Sequence, residues 1–583
     1  MFGWTGKILC LDLSKKQYTT LTPNQNIYDE YIGGRGLAGY YLKEVIKEPW
    51  DSEKMRLLFF TGPLTDTPSP TSGRMTIMSR SPLTGTLCDS SVGGTLGGQI
   101  KKAGWDGLII TGKSQNMIGI EIIDSSINFI DASNLKGSTI SEVISKFEKN
   151  SSTAIIGPAA ENGVLFSNIV LDSHHFAGRG GLGLVMANKN IKYIKVKGTG
   201  KTSVFDINEL RKAREKIFRL TAASPILLGE LGISNYGTGA LYDLMDSRNM
   251  MPTDNFKATK FNYAPKLNAY QYKNKYEPKK TGCPGCHILC KKIGKNNEIL
   301  PEFETMSHFT ALIGNKDLDT VVKANNICNE MGMDTISAAA TLACYSEIKE
   351  KIITKGKVLS LLYDIALSKG IGKELKLGSY RYAELKGQEE AAMTVKKQEL
   401  PAYDPRGAYG MALSYATSTR SGCHLRAYPI SHEILRKPVA TDRFTFNGKA
   451  RIIKISEDLN AVIDSLTTCK FLFFAATLEE YAQVFYAVTG IKTTAQDLLK
   501  KGERIYYNEY TMNALNGFTS KDNDLPKRFF KNPGTSTIES KIKPLKRKDF
   551  LKCLKDYYKI RGLDKNGLPT KKETEKLGIE WKD

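Results

Sequence analysis

Short apolar runs bounded by Gly, Pro, Asp and Ser fill the first third of the chain. Lys7-Ile-Leu-Cys-Leu-Asp-Leu13, Arg56-Leu-Leu-Phe-Phe60, Arg74-Met-Thr-Ile-Met78, Gly107-Leu-Ile-Ile110 and Lys192-Tyr-Ile-Lys-Val196 have the length and residue types of strands. From Asp206 onward the apolar positions recur at helical spacing, and 325–348 and 357–369 read as helices. The change falls at the small-residue stretch Gly198-Thr-Gly-Lys-Thr-Ser203. A second break precedes Gln398-Glu-Leu-Pro-Ala-Tyr-Asp-Pro-Arg-Gly407, where two prolines interrupt the pattern. The pattern predicts an α+β chain, with a β-rich region over 1–205 followed by two mostly helical ones over 206–396 and 397–583.

The 583 residues are 41% hydrophobic and 25% charged, which excludes disorder, and 51 Gly are too few for collagen. No stretch approaches the ~20 consecutive apolar residues that span a bilayer. Met1-Phe-Gly-Trp-Thr-Gly-Lys7 opens directly into strand-like sequence. The expectation is a cytoplasmic protein with no membrane partner. Lys and Arg outnumber Asp and Glu by 83 to 61, a net charge of +22. The basic residues are scattered and match no nucleic-acid-binding pattern, so no nucleic-acid partner is expected. A broad positive field suits an acidic protein such as an electron carrier, with the basic stretch 541–583 as a candidate part of that surface.

Ten cysteines, mostly isolated among apolar residues, do not form a secreted disulfide framework. Cys10, Cys88, Cys328, Cys344 and Cys553 read as small core residues. The exception is Thr281-Gly-Cys-Pro-Gly-Cys-His-Ile-Leu-Cys290, a C-x2-C-x3-C run in which Pro284 and Gly285 set a tight turn. Zinc usually takes two separated pairs of ligands, and the radical-SAM order is the reverse of this one. A 4Fe–4S cluster fits, provided a fourth cysteine comes from elsewhere, with Cys469 and Cys423 as candidates.

Gly34-Arg-Gly-Leu-Ala-Gly39 and Gly178-Arg-Gly-Gly-Leu-Gly183 both match G-x-G-x-x-G. A dinucleotide site needs a buried strand directly before the loop. Tyr28-Asp-Glu-Tyr-Ile32 is a poor strand, and His174-His-Phe-Ala177 separates the second loop from its own. The echo instead predicts a duplicated unit whose loops offer backbone N–H groups and an Arg fork to an anion, or else turns that simply require Gly. The intervening stretches 61–74, 79–85 and 90–94 are long polar loops of the kind that cradle a large polar ligand on a rigid sheet.

Taken together these motifs resemble the tungsten-containing aldehyde:ferredoxin oxidoreductases over almost the whole chain. The likeness extends through Pro301-Glu-Phe-Glu-Thr305, Pro401-Ala-Tyr-Asp-Pro-Arg-Gly407, Cys423-His-Leu-Arg426, Asp464-x4-Cys469 and Arg561-Gly-Leu-Asp-Lys-Asn-Gly-Leu-Pro-Thr570. The resemblance implies a tungsten bis-molybdopterin (tungstopterin) cofactor beside one 4Fe–4S cluster, held by Cys283, Cys286, Cys290 and Cys469. It further admits a magnesium ion bridging the pterins, although Ser91 stands where some relatives have Asn.

The resemblance also implies which residues hold the cofactor. The pterin-binding segments would be Asn329-Glu-Met-Gly-Met-Asp334, with Gly332, and Asp464-Ser-Leu-Thr-Thr-Cys469, with Thr468. Asn329 replaces an acid and Thr467 a Gly of the family pattern. Arg74 and Arg179 match basic residues at the pterins, with Gly93, Gly180 and Gly181 in the loops beside them. Glu304 would deprotonate water or a hydrate, with Glu302 as a competitor, and His424 would bond the aldehyde oxygen. His174, His175, His287, His308 and His432 are expected to be structural. The implied reaction oxidises an aldehyde to a carboxylate, and electrons leave to ferredoxin or a ferredoxin-like small subunit. The chain has no E-x-x-H motif, so the family's iron-bridged dimer is not expected, and a hetero-oligomer or another homo-oligomer is. Two other readings are a ring-reducing subunit like benzoyl-CoA reductase and a non-catalytic iron–sulfur electron-transfer subunit.

Overall fold

The computed structural model describes residues 1–148, 151–537 and 541–581. Its first third contains twelve strands in two six-stranded sheets. The first sheet comprises β1 (Ile8–Asp12), β2 (Gln17–Leu21), β3 (Leu57–Phe60), β4 (Met75–Arg80), β5 (Leu87–Val92) and β6 (Gly107–Thr111). The second comprises β7 (Ile118–Ile123), β8 (Ser126–Asp131), β9 (Ser152–Ile155), β10 (Ile169–Leu171), β11 (His175–Ala177) and β12 (Ile191–Lys197). The sheet orders are β2-β1-β6-β3-β4-β5 and β8-β7-β12-β9-β10-β11, the same order displaced by six strands. In each sheet the first and sixth strands pair in parallel and every other neighbour is antiparallel.

The duplicated unit is therefore present, but the two Gly-Arg-Gly loops do not mark it. The first lies between β2 and β3, the second between β11 and β12. The corresponding positions are Gly62-Pro63, two residues past the end of β3, and Gly157-Pro158, two residues past the end of β9. His174-His-Phe-Ala177, read as a spacer, mostly forms β11. That strand is antiparallel at a sheet edge, so the parallel crossover of a dinucleotide fold is missing.

Side-chain alternation explains why the strands of the first sheet read as almost continuous apolar runs. Leu9, Leu57, Phe59 and Leu108 point into a core shared with Ile120, Ala154 and Ile194 of the second sheet. Ile8, Leu58, Phe60 and Ile109 point the other way, into a core continuous with the helices. A sheet buried on both faces has little use for polar positions.

Helices α1 (Gly34–Lys43), α2 (Leu96–Lys102) and α3 (Leu182–Asn188) belong to the β-rich region. The helical remainder begins at α4 (Ile207–Ala222), where Asp206 accepts bonds from the N–H groups of Asn208 and Glu209 as N-cap. It continues with α5 (Phe303–Phe309), α6 (Leu318–Met331), α7 (Thr335–Lys349), α8 (Lys449–Leu466), α9 (Leu478–Thr489), α10 (Ala495–Leu515) and α11 (Arg547–Arg561). The stretch 325–348, expected as one helix, is broken between α6 and α7. Gly332 takes the left-handed conformation there (φ +78°), and Asp334 caps the next helix. Among the described residues no single helix is long and apolar enough to cross a membrane.

Candidate functional site

The β-rich region and the helices enclose a cavity of about 330 Å³. Its floor comes from the loops around β4, β5 and β11, and its roof from the 283–305 segment, the ends of α6 and α8, and the loop 420–425.

The cysteine run occupies the loop between two short paired strands, β13 (Lys279–Thr281) and β14 (Lys291–Ile293). Pro284 and Gly285 form the expected turn. Gly285 has φ +68°, and the Cys286 N–H donates to the Cys283 carbonyl at 3.1 Å. The loop reaches the β-rich region because two glycines leave room for it. A Cβ on Gly93 would lie 2.2 Å from Cys283 Sγ, and one on Gly73 would lie 2.9 Å from the Pro284 carbonyl oxygen. Cys469 joins Cys283, Cys286 and Cys290 on the cavity wall, whereas Cys423 does not.

Burial raises the thiols of Cys286, Cys290 and Cys469. Burial first, then Cys286 and Cys283, pushes Cys469 up to about 11, and burial with Cys469 pushes Cys290 up as well. Arg74 stands among them. Burial disfavours its charge, but Cys469, Cys283 and Cys290 favour it more, and its guanidinium donates to the Ser91 hydroxyl at 3.0 Å. Four cysteines and the Arg74 guanidinium thus face one cavity.

Two helix C-termini form the opposite walls, each presented by one half of the duplicated unit. After α8 the chain turns at Thr467 (φ +60°), and after α6 at Gly332 (φ +78°). A Cβ on Gly62 would meet the Ser465 carbonyl oxygen at 2.6 Å, and one on Gly157 would meet the Met331 carbonyl oxygen at 2.3 Å. Glycine after the third strand of each unit thus lets a helix terminus lie directly on the sheet. Thr467, in place of Gly, incurs a left-handed penalty of about 1 kcal/mol. Its hydroxyl partly offsets this by bonding the Thr65 hydroxyl at 2.7 Å. Both termini expose unused groups: Asp464 Oδ1 and Asn329 Nδ2 are buried without a hydrogen-bond partner. So are Glu304 Oε1 and His424 Nδ1 on the same cavity wall. Buried polar atoms are rarely left unpaired, so this set fits a polar ligand that supplies the missing partners.

Glu304 sits in the first turn of α5, and Glu304 Oε2 accepts the Ala402 N–H at 2.8 Å. Burial pushes its carboxyl up to about 8. His424 Nε2 lies 3.4 Å from Glu304 Oε1. Burial first, then Arg179 and Arg420, holds His424 well below the usual histidine range, so its imidazole is neutral. Tyr403 and Tyr428 flank that ring, their hydroxyls 3.2 Å apart. Glu302, the competing carboxylate, pairs with Lys291, and that charge holds it ionised below the usual range. Burial thus raises the Glu304 carboxyl while Lys291 lowers that of Glu302.

The cavity gathers Arg74, Ser91, Gly93, Arg179, Cys283, Cys286, Cys290, Glu304, Asn329, Asp334, His424, Asp464 and Cys469 on one wall system. Gly180, Gly181, Gly332 and Thr468 lie behind it. A Cβ on Gly180 would meet Cys88 Sγ at 2.2 Å, and Gly181 (φ +84°) starts α3. Thr468 bonds the Thr71 and Tyr481 hydroxyls.

The anion-fork reading of the arginine loops does not hold. Arg35 is fully buried and pairs with Glu509 at 2.6 Å, and Gly34 and Gly36 N–H groups bond Thr61 and Ser465. Arg179 donates to the Glu399 and Gly422 carbonyls and pairs with Asp334 at 3.2 Å. Both guanidinium groups therefore tie segments together. His308 and His175, expected to be structural, adjoin the site. His308 Nδ1 lies 2.8 Å from the Glu304 carbonyl oxygen, and His175 lines the cavity. The i,i+4 spacing of Glu304 and His308 carried that signal. Arg420 and Lys470 also line the cavity and gave no pattern in the sequence.

Two family models match the chain: "Aldehyde ferredoxin oxidoreductase, N-terminal domain" over residues 8–198 and "Aldehyde ferredoxin oxidoreductase, domains 2 & 3" over 212–579. Tungsten-containing aldehyde ferredoxin oxidoreductase of Pyrococcus furiosus is 35% identical over 608 residues, covering 99% of each chain. The protein of that description from Thermococcus kodakarensis is 35% identical over 609 residues, with the same coverage. The WOR-like subunit of an aliphatic sulfonate oxidoreductase from Pyrococcus furiosus is 26% identical, covering 99% of this chain and 97% of its own. The solved active-site complex BamBC of benzoyl coenzyme A reductase, with 1,5-dienoyl-CoA, superposes with a TM-score of 0.85. It covers 99% of this chain and 97% of its own, and at 22% identity it shows a common fold.

Proposed function

The chain belongs to the aldehyde ferredoxin oxidoreductase family of tungsten-containing oxidoreductases, and from that premise we propose that it oxidises an aldehyde to a carboxylate with water as the oxygen source. The observation that carries the reading is the Glu304–His424 pair, with Glu304 Oε1 and His424 Nδ1 unpartnered beside four thiols and two open helix termini. In this reading Asp464 and Asn329 hold the two pterins through their free polar atoms, and Arg74, Ser91, Gly93, Arg179 and Asp334 line the same pocket. Gly180, Gly181, Gly332 and Thr468 shape the backbone behind them. A magnesium ion near Ser91 belongs to the proposal. Cys283, Cys286, Cys290 and Cys469 ligate a 4Fe–4S cluster. When bound, the tungstopterin supplies the two-electron redox chemistry and the Lewis acidity.

The chain's own residues handle binding and protons. Neutral His424 donates a hydrogen bond to the aldehyde oxygen and orients the carbonyl. Burial keeps Glu304 mostly protonated at neutral pH, and its ionised fraction accepts a proton from the attacking water. Tyr403 and Tyr428 pack against His424 and fix its plane. Overall, aldehyde and water give carboxylate, three protons and two electrons. A 4Fe–4S cluster held by Cys283, Cys286, Cys290 and Cys469 would supply one-electron transfer toward ferredoxin or a ferredoxin-like small subunit. The proposal includes a cytoplasmic location, assembly into a hetero- or homo-oligomer, and functional segments 1–205, 206–396 and 397–583.

The test is metal and labile-sulfide analysis of anaerobically purified protein, followed by viologen-linked aldehyde oxidation. About one tungsten and four irons per chain are expected for one 4Fe–4S cluster. Four irons without tungsten or molybdenum, and no aldehyde-dependent dye reduction, would overturn the catalytic reading in favour of an electron-transfer subunit. Dye oxidation dependent on an aromatic acyl-CoA would favour the ring-reducing one.

A further inference from the structure

The cysteine loop reaches the surface at Pro284 and Gly285, both exposed. Beside it the His287 ring packs on Phe218 of α4 with centroids 4.4 Å apart, and the Arg214 guanidinium lies 4.8 Å over the other ring. Both His287 ring nitrogens are buried without a hydrogen-bond partner. Helix α4 carries five cations, Arg211, Lys212, Arg214, Lys216 and Arg219, against two acids, Glu209 and Glu215. Across the loop stand Lys279 and Lys280 of β13, both exposed, and Lys280 reaches Asn235 at 2.7 Å. Among the described residues Arg211, Arg214, Lys279 and Lys280 have no carboxylate within ion-pair distance, whereas Lys212, Lys216 and Arg219 do. Leu231, 74% exposed, adds an apolar knob on the turn that holds Asn235.

We propose that Arg211, Arg214, Phe218, Lys279, Lys280 and His287 form the docking face for an acidic, ferredoxin-like one-electron carrier. The inference rests on the proposed cluster and names the surface through which it exchanges electrons. Charge complementarity and position both favour this face. Cations without a carboxylate partner flank the stretch where the cysteine loop is exposed, and an acidic partner seated there stands beside the half-buried Cys283 and Cys286. Long-range attraction from such a patch speeds encounter and fixes orientation, while the packed Phe218 and His287 rings supply an apolar centre. The basic C-terminal stretch is not part of this face. Its helix Lys571–Lys576 follows Thr570, whose N–H bonds Tyr507, and Leu577 bonds Arg504.

Two double variants with the same change in net charge separate position from bulk charge: Arg214→Glu with Lys280→Glu, and Lys571→Glu with Lys572→Glu. Binding of a purified acidic bacterial-type ferredoxin to the anaerobic holoenzyme is measured by titration calorimetry at low and high salt. The first variant is expected to raise Kd about tenfold or more and the second by less than about twofold, with wild-type binding weakening as salt rises. Equal effects of the two variants, no effect of the first, or no wild-type binding would overturn the docking face. Viologen-linked aldehyde oxidation should stay at the wild-type level in both. If the wild type lacks that activity, the functional reading fails, and the binding result still decides the docking proposal.

Discussion

The two halves of the duplicated unit are the same fold applied to different tasks. The first half seats the 464–469 segment on Gly62, and its arginine, Arg74, stands among the thiols. The second half seats the 329–334 segment on Gly157, and its arginine, Arg179, pairs with Asp334 next to Glu304 and His424. In the proposed function one side of the cavity serves electrons and the other protons. Duplication supplied two equivalent platforms, and the helices placed on them supplied the difference.

Removing the electron side should have the largest effect. Cys469→Ser is expected to lose most of the iron and labile sulfide and to bring dye-linked activity to background. Full iron content in that variant would remove Cys469 from the ligand set. Next comes the proton side. Glu304→Gln should lower kcat by roughly 10²–10⁴-fold, with tungsten and iron per chain unchanged. The same residue makes a prediction about stability. Folded Glu304 keeps its proton up to about pH 8, whereas the unfolded chain releases it near the usual 4.5. The folded state then binds more protons across that interval, so stability falls as pH rises through it. Thermal unfolding of Glu304→Gln against pH should show a shallower decline, and an unchanged slope would place the carboxyl in its ordinary range.

The platforms themselves come third. Gly62→Ala and Gly157→Ala each force a methyl against a carbonyl oxygen and should lower stability by about 1–3 kcal/mol. Chemical denaturation measures that cost, and tungsten content reports whether the pterin walls have moved. A cost at only one position would break the equivalence of the halves. The smallest effect is expected at Thr467→Gly. Relief of the left-handed backbone, about 1 kcal/mol, is opposed by loss of the hydroxyl bond to Thr65 and by the freer unfolded chain. A net change beyond about 1 kcal/mol in either direction would show that one contribution has been misjudged.

Much of this architecture was legible in the chain. The strand runs around Leu9, Phe59 and Ile109 appear where periodicity put them, because a sheet buried on both faces leaves an unmistakable apolar run. The C-x2-C-x3-C turn formed as its Pro-Gly pair dictates. The duplication is present in strand order, but the Gly-Arg-Gly motif does not mark it. The Gly-Arg-Gly loops look alike yet occupy different places in the repeat, whereas the unremarked Gly62-Pro63 and Gly157-Pro158 are equivalent. A repeat is conserved in strand order, and strand order does not show in a short motif.

By itself the sequence determined which residue types were available: three clustered thiols and candidates for a fourth, glutamates at 302 and 304, a histidine after Cys423, and arginines in glycine loops. Only the tertiary structure decided how they divide the work. Glu302 and Glu304 are two residues apart, yet Lys291 holds one ionised while burial pushes the other up to about 8. Arg35 and Arg179 occupy matching motifs, yet each is drawn into an ion pair with an acid far away in the chain. Ionisation and hydrogen bonding depend on what surrounds a group in three dimensions, and for Arg35 and Arg179 those neighbours lie more than a hundred residues away in the chain.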